Sequence, residues 1–222
     1  MTEKEGANQR LFIYSVLATV MTLAALFHGV VFQRSDLVMD VLIPASFLGL
    51  GVMIKYGDQA YDTDSYQRRT ALLLAFPGGI WLGALMAVDL GSATIFVGIL
   101  VALLMAGKLD TLAFRIGAIV AIIIEAAALL TGFGTIDPVG VIMIIVFAFI
   151  DERVNDLPWV DNGRGWMAML FHNRPFLKVA VLALCLVGFL PSLLYFFAFM
   201  AFDLGYSAVE AHSLRRGAVA VG

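Results

Sequence analysis

The sequence predicts an all-α, polytopic membrane protein, a bundle of seven transmembrane helices. Three observations carry that expectation. Of 222 residues, 61% are hydrophobic and only 14% charged, whereas a soluble domain carries roughly 25% charged residues. The apolar residues fall in long runs, the pattern that a bilayer selects. Short polar clusters separate the runs, and basic residues gather in alternate clusters, as the positive-inside rule requires.

The polar start MTEKEGANQR has mixed charge and lacks the basic opening of a signal peptide. The first run, Leu11 to Phe32, is therefore read as a retained span. Further runs lie near 38–55, 70–88, 92–107, 112–132, 137–154 and 175–202. About 20 helical residues cross the roughly 30 Å hydrocarbon layer, so the fourth and sixth runs are short. The sixth has only 12 apolar residues, Val139 to Ile150, before Asp151, and a re-entrant half-helix is the alternative there, which leaves six spans.

Charge favours the full crossing. Seven spans put Lys4, Arg10, Lys55, Arg68, Arg69, Lys108, Arg115, Arg153, Arg164, Arg174 and Lys178 on one face, with Arg34, Arg215 and Arg216 opposite. That bias places the N-terminus in the cytoplasm and the C-terminus outside. Locally, Asp137-Pro138 and Pro175 mark helix starts, and Pro77-Gly78-Gly79 is expected to loosen the third span. Residues 1–206 read as one membrane domain, and 207–222 as a short, flexible polar tail.

The acids gather where chemistry could sit. Asp58, Asp62 and Asp64 follow the second span, Asp110 the fourth, and Asp151, Glu152 and Asp156 the sixth. In the seven-span arrangement all three groups face the cytoplasm. Asp58 and Asp62 are four apart, as are Glu152 and Asp156, so each pair shares a helix face. Like charges at that spacing repel, and a divalent cation reverses the sign. Mg²⁺ takes oxygen ligands, commonly carboxylates together with substrate phosphates.

The sequence thus suggests an enzyme acting on a lipid-linked phosphate or pyrophosphate at the cytoplasmic face. Asp58, Asp62, Asp64, Asp110, Glu152 and Asp156 are the candidate Mg²⁺ ligands, and Asp58, Asp62, Asp151 and Asp156 the candidate catalytic acids. Lys55, Arg68, Arg69, Lys108 and Arg153 would neutralise phosphate charge. The plainer reading of the same residues is solvated helix ends and surface ion pairs worth about 0–1 kcal/mol. Two signatures of phosphate-handling membrane enzymes, D-G-x-x-A-R and N-D-x-x-D-x-x-x-D, are absent.

A second function class rests on Glu125, which lies inside the fifth span in IIIEAAALL. An ionisable group there is costly and by default a functional candidate. With the broken third span, it suggests a cation channel or transporter. A third reading is a non-catalytic membrane subunit whose 151–174 loop, with Trp159 and Trp166, docks a partner. Other classes fall away. No Lys/Arg run exceeds two residues, which argues against nucleic acid. Cys185 is the sole cysteine, so no internal disulfide forms. His28 and His172 are read as interfacial and loop residues. Lys178, in the first turn of the last span, sits too near water for a retinal Schiff base, and Tyr56-Gly57-Asp58 lacks the first glycine of an intramembrane aspartyl protease motif.

Overall fold

The computed structural model describes residues 37–63, 65–161 and 166–220, with Gln9, Phe12, Ile13, Ser15, Val16, Thr19 and Val20. The expected first span at 11–32 falls largely outside these residues, and Asp64 wholly so. Among the described residues the protein is helical, with nine helices and no strand. They are α1 (Leu37–Asp62), α2 (Arg68–Val88), α3 (Leu90–Ala106), α4 (Leu112–Leu130), α5 (Pro138–Asn155), α6 (Pro158–Asp161), α7 (Trp166–His172), α8 (Pro175–Val187) and α9 (Leu194–Ala220).

Local chemistry sets most of these boundaries. Asp89 alone separates α2 from α3, and its carboxylate accepts the Ser92 amide at 2.7 Å, satisfying one of the helix's open donors. Gly107, at φ 73°, ends α3 in the left-handed conformation that glycine adopts without a Cβ penalty. Asp137 caps α5 through the amides of Val139 and Gly140, each at 3.2 Å, and Pro138 follows in the first turn. Pro175 opens α8 in the same way. Pro77 lies inside α2, which runs on through Pro77-Gly78-Gly79 as one helix.

Among the described residues, three helices are long and apolar enough to cross a membrane: Met39–Asp62 of α1, α2 and α4. α3 and α8 are apolar but shorter. α5 is one continuous helix of 18 residues, rather than a half-helix that folds back. The run at 175–202, expected as a single span, is two helices. α8 stops at Gly188, whose φ is 89°, and Pro191 lies between it and α9. α9 is helical to Ala220, and Val209, Ala211 and Ser213 are buried.

The helices form two compact units. Unit 1 contains α1, α9, α2 up to Leu82 and α4 up to Val120. In it, Gly51 meets Phe202, Lys55 and Asp58 meet Tyr206, and Gln59 meets Ser213. Residue numbers rise together, so α1 and α9 run parallel. The C-terminal half of α9 therefore lies at the same end as the α1–α2 connection. The sequence reading put these on opposite faces, because it counted 175–202 as one crossing.

Unit 2 contains the rest of α2 and α4, with α3 and α5 to α8. Thr94 meets Asp137 and Gly140, Gly98 meets Ile144, and Lys108 meets Asp156. α3 and α5 are thus a second parallel pair. Close approach in both pairs depends on small residues, as in membrane helix packing generally.

Candidate functional site

In unit 1 the last turns of α1 turn Lys55, Asp58 and Gln59 towards α9. The Lys55 ammonium donates to the Tyr206 hydroxyl at 3.3 Å and lies 4.4 Å from the centre of its ring. The same hydroxyl donates to Asp58 Oδ2 at 3.4 Å. Glu210 brings a second negative charge to bear on Lys55. Gln59 is buried, and its Oε1 accepts from Ser213 and Thr63, each at 2.9 Å. Asp62, four residues from Asp58, is exposed. Arg68 donates to the Ala60 carbonyl at 3.4 Å and lies 5.4 Å from the Tyr61 ring centre, while Arg69 is exposed.

In unit 2 the acids at the end of α5 have separate duties. Asp151 is 1% exposed and accepts the amides of Phe176 at 3.2 Å and Leu177 at 2.6 Å. It caps α8 from a neighbouring helix, where Arg174, the residue at the cap position, makes no side-chain capping bond of its own. Glu152 is buried and pairs with Arg174 at 2.9 Å. Asp156 pairs with Lys108 across the exposed ends of α3 and α5. Arg153 covers the Phe149 ring at 4.9 Å, and Asp110 is exposed.

Among the described residues, no group of three or more His, Cys, Asp or Glu side chains comes together as a metal site would require. Within unit 2 a magnesium ion at Glu152 and Asp156 would have to displace Arg174 and Lys108. What unit 1 does assemble is one ammonium ringed by a phenol and two carboxylates. The sequence reading missed the α9 half of it. The signal was available: Tyr206, Glu210 and Ser213 recur at helical spacing, three and four residues apart.

Glu125 stands in a different setting. It is 3% exposed on the second half of α4, a helix apolar enough to cross a membrane. Ala121 and Ala128, on the same face, are buried too, and the Ala121 backbone lies 3.1 Å from where a Cβ on Gly83 would sit. Neither carboxyl oxygen of Glu125 has a hydrogen-bond partner. Ser92, in the first turn of α3, is likewise fully buried with an unpartnered hydroxyl oxygen. Asn155 Oδ1 is a third such oxygen in the same unit, and buried polar groups are almost always satisfied, so these exceptions need a reason.

Compared with known protein families, with curated proteins and with solved structures, the chain matches none.

Proposed function

We propose that this chain is a multi-pass integral membrane protein that carries protons or small cations, with Glu125 as the intramembrane carrier group. The single observation that carries this reading is the isolation of Glu125. An unpaired carboxylate in an apolar interior costs several kcal/mol. The group must therefore take up a proton or hold a cation, and both are what a translocation site does. The basic residues on the α1–α2 connection favour a cytoplasmic position for that end of unit 1.

The alternative, a magnesium-dependent enzyme on a lipid-linked phosphate, has less support. Its acids in unit 2 already hold a helix cap and two ion pairs. Proteoliposomes loaded with a pH-sensitive dye, or with sodium- and potassium-sensitive dyes, decide the matter. The wild type should dissipate a proton or cation gradient, Glu125→Gln should slow it at least tenfold, and Glu125→Asp should retain part of the rate. Equal rates in wild type and Glu125→Gln, with both proteins helical and monodisperse, would reject the proposal. So would the absence of any flux in the wild type.

A further inference from the structure

The neighbours of Glu125 fix its place in unit 2. A Cβ added at Gly83 of α2 would lie 2.7 Å from the Ile124 Cβ and 3.1 Å from the Ala121 Cα, so α2 and α4 touch beside Glu125. α3 turns back from α2 at Asp89, and Ser92, three residues on, therefore lies at the same end of the unit. Thr94 and Asp137 meet at that end too. Asn155 lies at the opposite end, next to Asp156 and its partner Lys108.

Among the described residues, no charged side chain acts on Glu125. The ionisable groups of the surrounding elements are engaged elsewhere. Asp89, Asp137 and Asp151 cap α3, α5 and α8. Glu152 pairs with Arg174, and Asp156 with Lys108. Lys178 donates to the Asn173 carbonyl, Arg153 lies over the Phe149 ring, and Asp110 is exposed.

This isolation narrows the ion. A metal cation that sheds its water takes about six oxygen ligands in return. Glu125 offers its two carboxyl oxygens, and Ser92, at the same end of the unit, adds at most its one hydroxyl. The carbonyls around Glu125 lie inside α4, where each is bonded to an amide one turn on. A proton, in contrast, needs a single oxygen, and it removes the charge whose burial is costly. We infer that Glu125 stands as a neutral carboxylic acid and that the ion it exchanges is the proton rather than a metal cation. The inference rests on the carrier role proposed above and specifies its substrate.

Dicyclohexylcarbodiimide reads the protonation state. A neutral carboxylic acid gives its proton to a carbodiimide nitrogen while its oxygen bonds the central carbon. The resulting O-acylisourea rearranges to a stable N-acylurea, and nothing is released. The full chain in detergent at neutral pH should take up one reagent, mapped to Glu125 by peptide mass spectrometry. Labelling there should exceed that of the exposed Asp62 and Asp110 at least tenfold, and change less than twofold in saturating sodium or potassium chloride. The infrared carbonyl stretch of a neutral acid, present in the wild type and lost in Glu125→Gln, reports the same state without a reagent having to reach the site. In proteoliposomes, proton flux should hold within twofold when choline replaces sodium and potassium, and fall at least tenfold after labelling. Protection of Glu125 by sodium or potassium, or a missing neutral-acid stretch, would overturn the inference and leave the carrier role standing. A neutral, unprotected Glu125 in a protein that moves no protons would instead reject the carrier role, and the proton assignment with it.

Discussion

Each unit is built on a parallel pair of helices, α1 with α9 and α3 with α5, but the two pairs are held in different ways. In unit 1 backbone meets backbone. A Cβ added at Gly51 would fall on the Phe202 carbonyl oxygen, and one at Gly205 on the Leu48 carbonyl oxygen. In unit 2 backbone meets side chain. A Cβ at Gly98 would lie 2.5 Å from Ile144 Cγ2, and one at Gly140 lies 2.6 Å from Thr94 Cγ2. The polar contacts differ as well. Unit 1 joins its pair with bonds between α1 and α9 from Lys55 to Ser213. Unit 2 ties its pair at the two ends, with Thr94 and Asp137 at one and Lys108 and Asp156 at the other. A carbonyl cannot yield without moving its helix, and neither can the Ile144 Cβ, which lies 2.6 Å from the same point at Gly98. The same glycine device therefore meets main chain first in one unit and side chain first in the other.

Breaking that comparison should cost most at Gly51. Gly51→Ala forces α1 and α9 apart, and overpacking of this kind costs about 3 kcal/mol. A large fall in the thermal midpoint in detergent is expected, together with loss of the Lys55–Tyr206 contact. A shift of under 2 °C would show that the α1–α9 crossing is not rigid. Gly98→Ala should cost less, about 2 kcal/mol, because its nearest approach, 2.5 Å to Ile144 Cγ2, is less severe than that at Gly51 to the Phe202 carbonyl oxygen. If its effect equals that of Gly51→Ala, the distinction between backbone and side-chain contact is wrong.

The smallest effect is expected at the exposed end of unit 2. Lys108 and Asp156 have side chains 37% and 44% exposed, so Lys108→Ala should cost at most about 1 kcal/mol. The loss should shrink further in high salt, where exposed charges are screened. A cost above about 2 kcal/mol that persists at 1 M salt would mean that this pair is buried in the membrane-bound protein.

Much of the fold was legible along the chain, where the deciding physics is local. Asp137-Pro138 and Pro175 announce helix starts, because proline lacks the amide that a first turn leaves unbonded. The break between α8 and α9 was legible too, in Gly188 and Pro191, yet an apolar run hides it when hydropathy alone is counted. The helical character of 207–220 was not legible from polarity. Val209 and His212 are met by Tyr66, and Ser213 by Gln59, residues far away along the chain.

The candidate sites divide along the same line. The sequence placed Asp58, Asp151, Glu152 and Asp156 at helix ends, where they are. It could not assign their partners: Tyr206 for Asp58, the α8 amides for Asp151, Arg174 for Glu152 and Lys108 for Asp156. Glu125 was conspicuous in both readings, since a carboxyl group within IIIEAAALL stands out by composition alone.

By itself the sequence determined the class of environment. Whether a helix prefers hydrocarbon or water is summed over its own residues, and needs no knowledge of its neighbours. Only the tertiary structure decided which charges are neutralised, where helices touch through glycine, and that Glu125 is left alone. Those depend on which faces of distant segments come together, and a side chain's energy in an apolar interior is set by what lies within a few ångströms of it.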